Sequence, residues 1–194
     1  MGKQFFIGDI FSPNRTGHEI IVCHQVNCRG VMGAGLAKQI RDRFPIVYTM
    51  YQRECRSVSQ SADLLRKVLF IPVQYHGFDF TIANIFSQDG YGRDQCYTDY
   101  EALREAFRPI RTMAEPLPAR AMTTVRIPYK MGCGLAGGSW EIVERIIDEE
   151  LVDKGIPVQI WSKSDAKIGE QCNGTLAICG ARENPLGYTK ETRK

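Results

Sequence analysis

No run of apolar residues in the 194-residue chain approaches the roughly 20 that a membrane-spanning helix needs. Residues 1–4 (MGKQ) pass straight into a short strand-like segment, without the apolar core of a secretory signal. Phe6 stands where a myristoylation motif starting at Gly2 would require Ser or Thr. There are three histidines and no Cys-x-x-Cys pair, so a zinc centre is not expected and no metal or cofactor is assigned. Seven cysteines, an odd number without framework spacing, suggest reduced thiols and a cytoplasmic location. Cys172 and Cys179 are the two that the sequence offers for pairing or metal binding. The sequons at Asn14 and Asn173 read as chance matches in a chain without a leader. A net charge of +3 and the lack of a basic stripe give no reason to expect direct nucleic-acid binding.

What the chain does contain is an alternation of strand and helix signals, the pattern of a layered α/β domain. Residues 4–7 and 19–24 are apolar runs, the second nearly continuous as in a strand covered on both faces. Leu36, Ala37, Ile40 and Phe44 then recur at helical spacing, and Pro45 can open another helix reaching about residue 56. Residues 67–73 and 78–86 read as strands joined by a turn at His76-Gly77. Thr98 and Glu101 form a T-x-x-E capping box ahead of a helix with the stripe Tyr100, Leu103, Phe107 and Ile110. Pro109 is expected to kink or end that helix. Residues 115–120 are a connector and 125–128 a strand. Ser139 is placed to cap a helix carrying Val143, Ile147 and Leu151, which Gly155 ends. Residues 157–161 form the last clear strand. These signals divide the chain into a domain over 1–161 and an appendage over 162–194, polar and irregular apart from 176–179.

Residues 24–35 read HQVNCRGVMGAG, between a buried strand and a helix. Glycines there let the backbone approach a ligand with its N–H groups turned inward, and the helix N-terminus favours phosphate. The spacing is neither the dinucleotide fingerprint G-x-G-x-x-G nor a Walker loop. Taken alone it also fits a tight strand-to-helix turn. Residues 132–140 (GCGLAGGSW) repeat the arrangement after a later strand. Two such loops on one edge of a sheet are what a diphosphate would need, one on each side.

In this order the segments resemble the macro domain family, and within it the branch that processes ADP-ribose phosphates. The resemblance rests on Gly8-Asp9-Ile10, on residues 24–40, on 84–88 (NIFSQ) and on 127–140 (IPYKMGCGLAGGSW). It implies a three-layer α/β/α sandwich around a mixed sheet of about six strands, and ADP-ribose or a derivative as ligand. ADP-ribosylated protein is a further partner it allows. It also assigns roles. Asp9 would accept a hydrogen bond from the adenine amino group, with Ile10 beside the ring. Val31, Met32, Gly33 and Ala34 would wrap the diphosphate from one side, and Gly132, Cys133, Gly134, Leu135 and Ala136 from the other. Asn27 would contact the distal ribose.

Catalysis is less determined than binding. One hydrolase branch of the family uses a lysine after the central strand and an aspartate in the second loop. Here Ser87 or Gln88 and Ala136 stand at those positions. The remaining candidates are Asn27, holding a ribose hydroxyl or water, and His24, moving a proton. The plain alternative for His24 is a satisfied core histidine. Asp89 is a third candidate, or a turn residue, and Cys133 invites a nucleophile reading because helix N-termini lower thiol pKa. The expectation is thus a hydrolase acting at the distal ribose, with a noncatalytic reader of free or protein-linked ADP-ribose as the alternative. A binder of another nucleotide diphosphate is a third reading. Gly33 is expected to sit where a branched side chain would block phosphate and strain the backbone.

Overall fold

Eight of the nine residues of β2 (Glu19–Asn27) are buried or half-buried, as a strand with layers on both faces requires. The computed structural model describes residues 2–13, 18–92, 94–115 and 122–163, with the backbone of Leu176–Ala177. The other strands are β1 (Lys3–Ile7), β3 (Val68–Tyr75), β4 (Phe78–Gln88), β5 (Thr123–Pro128), β6 (Val158–Ser162) and β7 (Leu176–Ala177). They form one sheet in the order β3-β4-β2-β5-β6-β1-β7. The strands from β4 to β7 along that order run parallel, and β3 returns antiparallel to β4 as a hairpin. The mixed α/β sheet of the sequence reading is therefore present. A seventh strand comes from the apolar stretch that the sequence set apart within the tail: Leu176 and Ala177 pair with Phe5 and Phe6. Asn14, Asn173, Cys172, Cys179 and the connector over 116–120 lie outside the described residues.

Side-chain alternation splits the sheet's apolar residues between two helical layers. On one face Ile21, Cys23, Ile85, Val125 and Ile160 pack with α3 (Tyr100–Ala114) and α4 (Trp140–Ile147). On the other, Ile20, Val22, Phe80 and Ile82 meet Ile40 of α1 (Gly35–Arg43), Val47 of α2 (Pro45–Arg56) and Phe44 at the junction between them. No helix of the described residues is long and apolar enough to cross a membrane.

Two helix boundaries differ from the sequence reading. Asp99, not Thr98, caps α3, its Oδ1 accepting from Ala102 N at 2.9 Å. Thr98 is drawn away because its hydroxyl donates to Gly132 O at 2.8 Å. The helix also runs past Pro109 to Ala114, since Ile110 and Ala114 remain buried in the core and hold the last turn down.

Candidate functional site

Because β1, β2, β4, β5 and β6 are parallel, the segments that follow them leave one edge of the sheet together. Open α/β sheets take ligands at this carboxyl edge. The loop after β2 is built around Asn27. Its Oδ1 accepts from Arg29 N at 2.9 Å and Val31 N at 3.2 Å, and its Nδ2 donates to Val31 O at 2.6 Å. The buried Tyr51 hydroxyl of α2 is shared between Asn27 O, at 2.7 Å, and Asn27 Oδ1, at 2.9 Å. Met32 is sunk into the core as an anchor, while Val31, Gly33 and Ala34 are exposed. No side chain caps α1. The N–H groups of Met32, Gly33, Ala34, Gly35, Leu36 and Ala37 have no hydrogen-bond partner among the described residues. That is a row of outward donors on a positive helix end, suited to phosphate oxygens.

The second loop follows β5, the strand beside β2. Its carbonyls are tied inward: Gly132 O accepts from Gly138 N at 2.9 Å and from Thr98, and Ala136 O accepts from Tyr97 N at 2.8 Å and Thr98 N at 3.2 Å. The N–H groups of Gly132, Gly134, Leu135 and Ala136 have no partner among the described residues. Ser139 stands at the N-cap of α4 without a side-chain capping bond, so the expected cap is absent and this helix end is open too. Its own N–H donates to the Tyr100 hydroxyl at 2.8 Å. At Gly138 a Cβ would lie 2.8 Å from Gly132 O, which explains glycine there by close approach. The nucleophile reading of Cys133 finds no support. Burial pushes its thiol up to about 11, despite Lys130, and its Sγ contacts Met131 O at 3.2 Å.

Asp9 follows β1 on the same edge. Arg43, the last residue of α1, grips its carboxylate with both ends of the guanidinium, Nη1 to Oδ1 at 3.0 Å and Nη2 to Oδ2 at 2.6 Å. Phe11 N donates to Oδ1 at 3.0 Å. Burial pushes the Asp9 pKa up, but the bonds from Arg43 and Phe11 and the charges of Arg43 and Lys163 outweigh it, so the pKa is lowered. Ile10 is buried in the apolar layer under α1. The loop is held from below by the buried Arg126, whose Nη1 donates to Ile10 O at 2.8 Å and Ser12 O at 2.7 Å.

His24 does not reach this edge. It lies inside β2 opposite Asn84 of β4, 2 % exposed, with Nε2 2.8 Å from Asn84 Oδ1. Burial lowers its pKa to about 4, with the Asn84 bond opposing. The structure thus places His24 as the core histidine of the plain alternative, hydrogen-bonded within the sheet, and its position lends no support to proton transfer in the crevice. The burial has its own consequence for stability. In the unfolded chain the ring titrates near 6.5, in the folded one near 4, so the unfolded state takes up the proton first as pH falls. Stability is whole above 6.5 and is lost progressively down to 4, a loss on the order of 3 kcal/mol. His24→Gln should remove that part of the acid slope in urea midpoints measured against pH. An unchanged slope would mean that the ring is already charged or accessible.

Several residues that shape the site escaped the sequence reading. Gln25 Nε2 donates to Gln88 Oε1 at 2.8 Å and Thr98 Oγ1 at 3.0 Å, linking β2, β4 and the second loop. Arg29 Nη2 pairs with Asp89 Oδ2 at 3.0 Å, joining the first loop to the end of β4, while the buried Asp89 Oδ1 has no partner among the described residues. A glutamine and a histidine within an otherwise apolar strand were the available signal, since buried polar side chains need partners. A recess of about 810 Å³ lined by His18, Gln74, Phe78 and Asp79 lies at the opposite edge of the sheet and contains none of the expected residues.

No protein-family model matches the chain. Among solved structures it is similar to a macrodomain protein from Streptomyces coelicolor, with 26 % identity, coverage of 84 % of this chain and 99 % of that one, and a TM-score of 0.65. An ADP-ribose 1″-phosphate phosphatase of Meyerozyma guilliermondii is 26 % identical over 171 residues, 78 % of this chain and 96 % of that protein. A DNA ADP-ribosyl transferase–DNA ADP-ribosyl glycohydrolase fusion protein of Thermosipho africanus is 23 % identical over 157 residues. That match covers 74 % of this chain and 38 % of the fusion. A solved structure of Thermosipho africanus DarTG in complex with ADP-ribose is 23 % identical, matched over 73 % of this chain and 37 % of that one, with a TM-score of 0.55. The mixed sheet, the two uncapped glycine loops and these relatives together give the chain the fold of the macro domains, with distant homologues among them.

Proposed function

We propose that the chain binds ADP-ribose along the carboxyl edge of the sheet and hydrolyses an ADP-ribose derivative at the distal ribose. The observation that carries the binding half is the pair of open donor sets, Met32 to Ala37 and Gly132, Gly134, Leu135 and Ala136, without partners among the described residues and on loops from adjacent parallel strands. A diphosphate between them would receive N–H groups from both sides and two helix N-termini, with no side chain to displace. The adenine would sit at Asp9 and Ile10, and the distal ribose at Asn27.

For the chemistry, Asp89 replaces His24 as the residue to test. Its Oδ2 is fixed by Arg29 and its Oδ1 is a buried acceptor without a partner among the described residues, which suits the orientation of a water. In the phosphatase reaction that water's oxygen would bond to phosphorus as its proton passes to the carboxylate. The bond from phosphorus to the C1″ oxygen would break and that oxygen would take up the proton from the carboxylate or solvent, releasing inorganic phosphate and ADP-ribose. The noncatalytic reader keeps a specific observation in its favour. Ala136 is a buried methyl whose carbonyl serves the loop, and Gln88 bonds Gln25 and Gly90, so neither supplies the lysine or aspartate of the hydrolase branch that the sequence resembles.

Titration calorimetry should give a measurable heat with ADP-ribose and a raised melting temperature, with AMP binding more weakly because it fills part of the crevice. No heat at high-micromolar ADP-ribose would end the binding proposal. Turnover is then sought on ADP-ribose-1″-phosphate, on ADP-ribosylated protein and on ADP-ribosylated DNA. The DNA adduct belongs in the series because of the Thermosipho relative's name, although the charge of this chain gave no reason to expect it. Binding without release from any of the three leaves the reader.

A further inference from the structure

We infer that Arg43 sets the base specificity of the site, by occupying the carboxylate of Asp9 so that one acceptor position remains for an exocyclic amino group. The inference rests on the proposed seat of adenine at Asp9.

An ionised carboxylate offers about four lone-pair positions, two on each oxygen. On Asp9, Oδ1 is filled by Arg43 Nη1 and Phe11 N, and Oδ2 takes Arg43 Nη2. Among the described residues the open position is on Oδ2. It can accept one hydrogen bond, and the ionised group has no hydrogen to give. The 6-amino group of adenine fits that demand, whereas a purine with a carbonyl at the same position would set oxygen against oxygen. A site built around one polar partner in this way rejects an analogue lacking it far more strongly than an apolar pocket rejects a change of size.

Arg43 is held as firmly as it holds. Its guanidinium lies 5.3 Å from the Phe11 ring centroid and 5.2 Å from that of Tyr75, in a slot between the two aromatics. Phe11 and Tyr75 also pack against each other and against Phe44, so the slot is part of the core under α1. A planar, always-charged group with a two-pronged donor edge suits this place, and a lysine would reach one carboxylate oxygen at a time. Among the described residues, the charged and titratable groups facing Asp9 and its partner are Arg43 from α1, Lys163 after β6 and Tyr75 from β3. Without Arg43 the burial of Asp9 would remain and its main opposing charge would be gone, so its pKa would rise. A protonated Asp9 could donate to a carbonyl, and the discrimination would fade.

The experiment compares ADP-ribose with its hypoxanthine counterpart, inosine diphosphate ribose, on the parent chain, Arg43→Met and Arg43→Lys. Parent affinity is expected to favour adenine by roughly a hundredfold and to hold that preference between about pH 7.5 and about pH 5. In Arg43→Met the preference should narrow by about tenfold at neutral pH and narrow further as the pH is lowered. Arg43→Lys keeps a charge near Asp9, so its preference should narrow without acquiring the pH dependence. If Arg43→Met fails to fold, the lysine variant decides, and adenine preference equal to the parent's overturns the inference. A folded Arg43→Met with the parent's preference at every pH overturns it as well. A parent chain that does not bind ADP-ribose removes both this inference and the binding proposal, whereas unchanged variants of a binding parent remove this inference alone.

Discussion

Gly33→Val should lose ADP-ribose affinity by roughly a hundredfold while melting within about 2 °C of the parent. Gly33 is exposed, has no positive φ, and a Cβ built on it would meet no atom closer than Val31 Cγ1 at 3.8 Å. The backbone strain expected at this position is therefore absent, and valine costs the free protein little. In the proposed complex, valine would add a branched side chain beside the unpartnered N–H groups of Met32, Gly33 and Ala34, where the phosphate must approach. Losing two charge-assisted hydrogen bonds to phosphate, at about 1.5 kcal/mol each, accounts for the expected factor. Calorimetry and a thermal melt on the same preparation check it. Parent-like affinity in a folded variant would show that the diphosphate does not approach this loop.

The contrast with Gly138 separates the part of the site that is legible in sequence from the part that is not. Both glycines punctuate a strand-to-helix turn, and such turns are local: a few consecutive residues fix where the N–H groups point. Hence both loops and their placement at one sheet edge were legible in residues 24–35 and 132–140. At Gly138, however, the need for glycine comes from Gly132 O, and at Thr98 the capping box fails because the same carbonyl attracts its hydroxyl. Competition of that kind is decided by tertiary neighbours, which no window of sequence contains.

The same holds for the groups that tune the site. Arg43 lies 34 residues from Asp9, and Arg126 lies 116 from Ile10. Each looks in sequence like an ordinary helix-end or strand charge. The two readings of His24 stayed open in sequence for a related reason: β2 extends to Asn27, three residues beyond the 19–24 run, which moves His24 from a strand end to its interior. Asp9 was assigned through resemblance to a family, and the structure adds the partner that shapes what it can accept.

The remaining large effects separate scaffold from chemistry at the distal ribose. Asn27→Ala would remove an acceptor used by Arg29 N, Val31 N and Tyr51, and a donor to Val31 O. Several buried or half-buried groups would be left unpaired, so stability should fall by about 3 kcal/mol and the melting temperature by roughly 6–12 °C. The first loop would loosen with it, and affinity and turnover should drop together. Asn27→Ala therefore cannot distinguish a catalytic group from a structural one, although the sequence pointed to it for that purpose. Asp89→Asn can. The amide keeps the shape of the side chain and an oxygen for Arg29, at a half-exposed position where the structural cost is small. It removes the basicity that would take a proton from water. If the chain is a hydrolase that uses Asp89, turnover of ADP-ribose-1″-phosphate should fall by roughly a hundredfold or more. ADP-ribose affinity should stay within about threefold, since an exposed ion pair contributes little to binding energy. Phosphate release and calorimetry on parent and Asp89→Asn under one set of conditions give both numbers. Equal turnover in the two proteins would exclude Asp89 as the base and leave the water to be oriented by the loops alone.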